Sequence, residues 1–216
     1  MEAAPFVLLA AAVMAGLAML SLWRDWELID RPLWWLWLVL AAPELLLAVA
    51  LFVGLGRIGD GDRQRWIAER LIGIVVVGSV VGLGLLIVSL VRYGESLTGA
   101  QLLLSAFALL LTNVVAFALA FWELDYGGPV RRALARDRGQ PDFQFPQDEN
   151  RELAKPSWEP QLLDYAYVSL TNSIAFSPTD VMPLTRPAKA LMAAESVLSI
   201  ATLLIVAARA VNIIGA

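Results

Sequence analysis

Five apolar stretches dominate the sequence, and each is long enough to cross a lipid bilayer. A membrane-spanning helix needs about 20 mostly apolar residues, and runs of that kind occupy 5–23, 33–56, 71–91, 100–122 and 188–214. Of the 216 residues, 59% are hydrophobic and 17% are charged, whereas about a quarter of the residues of a soluble domain carry charge. The sequence therefore predicts an all-α membrane protein with five transmembrane helices.

The residue types that the chain lacks exclude several kinds of chemistry. It has no Cys and no His, so it cannot form disulfides, Cys/His zinc sites or His-dependent catalytic pairs. Glu123 and Asp125 stand two positions apart at a predicted helix end, where they point to different sides. A net charge of −4 without a basic cluster argues against a nucleic-acid partner. We predict a protein that is not an enzyme and that has no cofactor and no metal site.

One long polar interval, residues 123–187, separates the fourth apolar stretch from the fifth. Its first part, with Gly127, Gly128 and several arginines and prolines, is typical of a short amphipathic piece and an irregular linker. Its second part begins as a short amphipathic helix at Trp158 and passes into a segment that no helix continues through, because Pro178 lacks a backbone donor. A half-length helix followed by irregular chain indicates a re-entrant loop, which lines a cavity or is buried in protein.

This order divides the chain into an N-terminal three-helix region, 1–99, and a pore-like module, 100–216. The predicted parts of the module are an outer helix (100–125), a linker (126–157), a half-helix with a filter-like loop (158–186) and an inner helix (187–214). Neither half of the chain repeats the other in inverted form, which disfavours a transporter.

The module resembles the pore module of the tetrameric potassium-channel-like family. Asp180-Val-Met-Pro-Leu-Thr185 is similar to the D-x-x-P-x-T that follows the family's filter, 165–171 resembles its pore helix and 188–213 resembles its inner helix. The resemblance implies a homotetramer around one conduction path, with the bilayer, inorganic ions and other copies of the chain as partners. The same pattern also resembles uncharacterised bacterial membrane proteins that are labelled ion-channel-like.

The filter-like loop departs from that family. Potassium channels carry T-V-G-Y-G before the Asp, and its glycines let successive carbonyls face the ion, whereas this chain has Ala175-Phe-Ser-Pro-Thr179. Both glycines are missing and Pro178 fixes φ near about −65°, so we expect no potassium selectivity. The candidate pore residues are Thr171, Asn172, Ser173, Phe176, Ser177, Pro178, Thr179 and Asp180. A ring of Asp180 carboxylates would favour cations weakly. The alternative interpretation is an ordinary turn and helix N-cap.

Four polar side chains inside the apolar stretches are further candidates, because ionisable groups in hydrocarbon are costly. Glu195 lies on the predicted inner helix, where it either faces the pore or packs on the back of the half-helix. The others are Glu44, Asn113 and Arg209. Each also has a structural interpretation: Arg209 can reach the interface, Asn113 can join two helices, and Glu44 can stay protonated.

Two observations disagree on the orientation of the chain. Loop 57–70 and interval 123–187 lie on the same side and, together with Lys189, carry twelve basic residues, so the positive-inside rule places them in the cytoplasm. The family resemblance places the pore loop outside. We favour the charge rule, because short loops obey it best. Of the 16 basic residues, 14 are Arg, a bias associated with GC-rich bacterial genomes, and the expected location is the bacterial plasma (inner) membrane, with a multi-pass topology.

These observations predict a passive ion channel or channel-like pore that is not potassium-selective and favours cations weakly. A first alternative is a non-conducting scaffold or regulatory protein that retains pore architecture. Phe176 and Pro178 favour it, because a ring of phenylalanines can close a path by dewetting. A second alternative is a secondary transporter.

Overall fold

The computed structural model describes residues 3–26, 34–39, 41–42, 66, 70, 73–74, 76–85, 87–88, 99–129, 132, 140–152, 154–155, 158–175 and 180–214. We number five of its helices: α1 (Ala3–Trp23), α2 (Gly99–Leu124), α3 (Pro146–Glu149), α4 (Leu162–Ala175) and α5 (Arg186–Ile214). Two short strands, β1 (Phe143–Gln144) and β2 (Met182–Pro183), pair antiparallel.

Within the described residues, three helices are long and apolar enough to cross a membrane. The candidate spans are Pro5–Trp23, Gly99–Gly127 and Arg186–Ile205. This confirms the prediction of a mostly helical chain and the helical character of the first, fourth and fifth apolar stretches, whose length and apolarity fit a membrane protein.

The second and third predicted spans fall largely outside the described residues. Of the second, 34–39 and 41–42 are helical, and of the third the longest described piece is the apolar helix Val76–Leu85. A total of five spans therefore remains a prediction.

Helix α2 is the central element of the described fold. It packs against α1, α4 and α5. Of the most apolar stretch of α2, 72% is buried in the protein, whereas the corresponding shares are 39% for α1 and 28% for α5. The buried alanines of α2, among them Ala116 and Ala118, have small side chains that let neighbouring helices approach closely. Helices α4 and α5 thus both pack against α2.

The chain turns sharply where α2 ends. A 3₁₀ turn over Asp125–Gly127 follows the helix, and Tyr126, Gly127 and Gly128 all have positive φ, 53°, 75° and 96° respectively. A Cβ atom added at Gly128 would lie 2.8 Å from the Oε1 atom of Glu123. Glycine is required there, because a larger residue would meet both the unfavourable φ and that side chain.

The described part of the linker is folded back over the end of α2, in contrast to the irregular chain predicted for it. Phe143 and Phe145 are buried and pack with Phe121 and Tyr165, with ring centroids of Phe121 and Phe143 5.1 Å apart. Pro146 opens the short helix α3, a position where its missing N–H costs no helical bond. Burial of these aromatic rings accounts for the ordered return of the chain.

Helix α4 is shorter than a transmembrane span. Its first turn is capped by the Asp164 carboxylate, which accepts the Gln161 N–H at 2.7 Å. The helix therefore begins at Leu162 rather than at the predicted Trp158, and it has 14 residues. At a rise of 1.5 Å per residue it is about 21 Å long, whereas the hydrocarbon core of a bilayer is about 30 Å thick.

Candidate functional site

The buried Glu195 carboxyl group of α5 is the centre of a set of hydrogen bonds that joins α2, α4 and α5. Its side chain is fully buried, at 0% exposure, and bonds to three residues on one face of α4. The Asn172 Nδ2 atom lies 2.6 Å from Glu195 Oε2, the Ser173 Oγ atom lies 3.1 Å from Oε1, and Ser169 Oγ also contacts Oε1. We call Glu195, Ser169, Asn172, Ser173 and Ser196 the Glu195 network.

The network is completed by bonds to the backbone of α2 and α5. Ser169 Oγ lies 2.8 Å from the Val114 carbonyl oxygen of α2. Asn172 donates to the Met192 carbonyl of α5 at 2.9 Å and accepts from the Ser196 hydroxyl at 3.1 Å. The polar face of α4 therefore holds the helix to both long neighbours, and the described partners of Glu195 in these bonds are hydroxyl and amide groups.

A second polar contact lies one turn further along α5. Asn113 of α2 donates to the Ser199 hydroxyl at 3.2 Å, and Ser199 is four residues after Glu195, on the same face of the helix. The Asn113 Oδ1 and Thr112 Oγ1 atoms are buried and have no hydrogen-bond partner among the described residues. Asn113 and Ser199 thus join α2 directly to α5, one turn beyond Glu195, which reaches α2 through Ser169 of α4.

The Asp125 carboxylate holds the other end of α4. It is fully buried and lies just past the end of α2. Its Oδ2 atom accepts the Tyr165 hydroxyl at 2.6 Å, and Oδ1 accepts the backbone N–H groups of Asp142 at 2.8 Å and Phe143 at 3.2 Å. These residues, with Arg132, form what we call the Asp125 network. It fixes the start of β1 to both α2 and α4.

Arg132 contributes the positive charge of this network. Its Nη1 atom donates to the Trp122 and Asp125 carbonyls, at 2.9 and 2.6 Å, where a cation interacts favourably with the carbonyls that end α2. The guanidinium carbon lies 5.6 Å from the Tyr165 ring centroid. Burial, and then the nearby Asp125 charge, raise the pKa of the Tyr165 phenol, so its hydroxyl keeps the proton that it donates to Asp125.

The segment that follows the filter-like loop is held by the linker. The Thr185 hydroxyl donates to Asp142 Oδ1 at 2.5 Å, and the Leu184 N–H donates to the Asp142 carbonyl at 2.8 Å. Together with the pairing of β1 and β2, these bonds fix the chain just after Asp180. Asp180 itself is exposed.

The structure brings only some of the predicted site residues together. Asn172, Ser173 and Glu195 meet in the Glu195 network, so Glu195 packs on the short helix, and the polar atoms of Asn172 and Ser173 are directed into the protomer. The Thr171 hydroxyl donates within its own helix, toward the Tyr167 and Val168 carbonyls at 2.8 and 3.0 Å. Asn113 joins α2 to α5.

Other predicted positions cannot be placed in the same way. Phe176, Ser177, Pro178, Thr179 and Glu44 lie outside the described residues. Arg209 lies on α5, and its side chain is outside the described part of the structure.

Sequence reasoning missed Asp125, Arg132, Tyr165, Ser169 and Ser199 as parts of buried networks. A helical signal was present for two of them. Ser169 shares one face of α4 with Asn172 and Ser173 at spacings of three and four, and Ser199 is four residues from Glu195. Asp125 has no comparable local signal, because its backbone partners lie 17 and 18 residues away.

Among the described residues, no group of three or more acidic side chains is placed to hold a metal ion. Comparisons with protein-family models, curated proteins and solved structures find no match to this chain.

Proposed function

We propose that the protein is a passive ion channel or channel-like pore, with five spans per chain, α4 as a re-entrant half-helix, and four copies arranged around α4, the filter-like loop and α5. The observation that carries the proposal is the position of α4. A helix too short to span lies between two long apolar helices and is fixed to both by buried polar bonds. Such an element is tolerated at membrane depth only where protein or a cavity surrounds it.

The outward face of α4 supports assembly with further copies. Leu163, Tyr167, Leu170 and Ile174 recur at spacings of four, three and four and are 44 to 67% exposed in the single chain. This apolar stripe requires lipid or protein to cover it. In the proposed tetramer, a neighbouring copy covers part of it.

The exposed surface of α5 supports the same arrangement. Val197, Ile200 and Leu204 are 64%, 40% and 61% exposed, and they follow one another at spacings of three and four. The polar face of α5 is turned inward to α2 and α4. Hence an apolar face of α5 remains for contact with other inner helices or with lipid.

Ion selectivity in the proposed pore is weak and favours cations. The loop lacks the glycines of a carbonyl filter, and Asp180, exposed at its end, supplies a carboxylate ring in the tetramer. Rings of carboxylates attract cations without close discrimination among them. The proposed location is the bacterial plasma membrane.

The second candidate function is a non-conducting scaffold with pore architecture. The observation that favours it is the inward direction of Asn172 and Ser173, which leaves the outward face of α4 mainly apolar. Phe176 and Pro178 in the adjoining loop favour it as well. A narrow path lined by these apolar side chains would exclude water.

The test is ion flux through the purified chain in liposomes, with wild type, Asp180→Asn and Phe176→Ala compared. A pore passes monovalent cations down their gradient. We expect Asp180→Asn to lower the cation flux several-fold and Phe176→Ala to raise it. Glu149→Gln, which changes an exposed carboxylate of α3, is the matched control and leaves flux unchanged.

Three outcomes contradict the proposal. Absence of flux in both wild type and Phe176→Ala favours the scaffold. Uptake that requires a proton or sodium gradient favours a secondary transporter. A monomer in native mass spectrometry from mild detergent removes the tetrameric arrangement.

A further inference from the structure

The Glu195 network contains one more hydrogen bond than its neutral donors can supply. Six short contacts join its polar atoms to one another and to the backbone: Ser169 with Val114 and with Glu195, Ser173 with Glu195, Ser196 with Asn172, and the Asn172 amide with Met192 and with Glu195. Each needs a hydrogen between its two heavy atoms. Three hydroxyls and one amide group provide five.

The shortage is located at Ser169. Its single hydroxyl hydrogen cannot make two well-aligned bonds at once, to the Val114 carbonyl of α2 at 2.8 Å and to the Glu195 carboxyl of α5. The two carbonyls that face Thr171, in contrast, belong to one turn of a single helix and can share a hydrogen. If Glu195 were ionised, one of the two Ser169 contacts would place the lone pairs of two oxygen atoms against each other. The Asn172 hydrogens are already used by Met192 and Glu195 Oε2, and the Ser173 hydrogen by Glu195 Oε1.

We infer that Glu195 is a proton-binding site: it carries its proton on Oε1 and donates it to Ser169. The bonds then form one directed chain, from Ser173 to Glu195, from Glu195 to Ser169, and from Ser169 to the Val114 carbonyl. Every contact has its hydrogen, and Oε2 remains free to accept from Asn172. The proton thus acts as a ligand that joins α5 through α4 to α2.

The charge balance around Glu195 agrees with a neutral acid. An ionised carboxylate that is 0% exposed within a candidate membrane span requires a paired cation. The hydrogen-bond partners of Glu195 among the described residues are Ser169, Asn172 and Ser173, and none is charged. The other charged residues of the three helices are Glu123, Asp164, Arg186, Lys189 and Arg209. The nearest basic residue on α5 is Lys189, whose side chain is exposed and is not among the hydrogen-bond partners of Glu195. Arg209 is about four turns away along the same helix.

The inference is tested by infrared spectroscopy of the full chain at neutral pH in a maltoside detergent, which has no carbonyl group. A protonated carboxyl group gives a C=O stretching band at higher frequency than the amide and carboxylate bands. We expect Glu195→Gln to remove the intensity of one carboxyl group per chain from this band. The exposed-site control Glu149→Gln leaves the band unchanged. Equal band intensity in wild type and Glu195→Gln would overturn the inference.

A second variant keeps the test open if Glu195→Gln does not fold. Ser169→Ala removes the group that accepts the Glu195 proton, so the band keeps its intensity and moves to higher frequency. A band that neither moves nor changes shape in Ser169→Ala contradicts the proposed donation. Because neither measurement needs ion flux, the result is independent of whether the chain conducts.

Discussion

The Glu195 and Asp125 networks hold the same short helix with the same chemical group in two different electrostatic settings. Asp125 lies where α2 has ended, so irregular chain nearby offers free N–H groups, and two of them donate to it. Glu195 lies inside α5, where backbone N–H groups are used by the helix itself, so only side chains donate to it. Arg132 accompanies the first carboxyl group, and hydroxyls and an amide accompany the second.

This difference shows how position within a helix selects the form of a buried acid. At a helix end, a carboxylate is stabilised by backbone donors and a nearby cation. In the middle of a membrane helix, the carboxyl group must find neutral partners, and it satisfies them best as a donor and acceptor together. The comparison is therefore between a carboxyl group that only accepts hydrogen bonds and one that we infer to donate as well.

Removing the Asp125 carboxyl group has the largest expected effect among the tests of this comparison. Asp125→Ala leaves the buried Phe143 N–H, the half-buried Asp142 N–H and the buried Tyr165 hydroxyl without their acceptor. Because a buried donor left unpaired costs about 1–3 kcal/mol, we expect the free energy of unfolding to fall by about 3–5 kcal/mol in total. The fluorescence of the eight tryptophans reports the loss as a lower thermal midpoint in detergent. Asp180→Ala, at an exposed position, is the control, and an equal shift in both variants would contradict the role of Asp125.

Exchanging each acid for its amide sharpens the comparison. Asp125→Asn replaces an accepting oxygen by an NH2 group that faces other donors. We expect it to lower the free energy of unfolding by about 2 kcal/mol. Glu195→Gln keeps a donor toward Ser169 and an acceptor toward Asn172, and its second amide hydrogen can donate to the Ser173 hydroxyl oxygen in place of the bond that Ser173 donates in the wild type. Its cost in free energy of unfolding is therefore expected to stay below about 1 kcal/mol. The same thermal measurement compares them. Equal losses, or a larger loss at Glu195, would show that the two carboxyl groups do not differ in the hydrogen bonds that they donate and accept.

Arg132 gives the smallest of the expected effects. Arg132→Ala removes a cation from the end of α2 and its stacking on Tyr165, and we expect a loss of about 1 kcal/mol. Arg132→Lys restores the charge without the planar group, so about half of the loss is recovered. Arg151→Ala, at an exposed position, shifts the thermal midpoint little. If Arg132→Ala lowers the thermal midpoint no more than Arg151→Ala does, the stability of the Asp125 network does not depend on Arg132.

Hydropathy alone located the three long helices of the described fold within a few residues. The predicted stretches 5–23, 100–122 and 188–214 correspond to helices over Ala3–Trp23, Gly99–Leu124 and Arg186–Ile214. This succeeded because span length and apolarity are properties of the local sequence. The predicted start of α4, Trp158, lies four residues before the observed start, Leu162, because the capping interaction between Gln161 and Asp164 sets where the helix begins.

The partners of the buried acids could not be predicted in the same way. Glu195 could face a pore or the short helix, and rotation of α5 by one residue, about 100°, separates these choices. For Asp125, the i, i+2 spacing from Glu123 says nothing of the chain returning from Asp142. That return depends on burial of Phe143 and Phe145 against α2 and α4, which is a tertiary property.

The bonds from Asp142 to Leu184 and Thr185 have a consequence for how the chain can vary. The residues before position 176 are fixed by the Glu195 network, and those after position 180 are fixed by the linker through β1 and β2. A substitution within 176–179 therefore alters none of the side chains that make these two described attachments, so its effect on the loop can be measured while both flanking helices keep their own bonds.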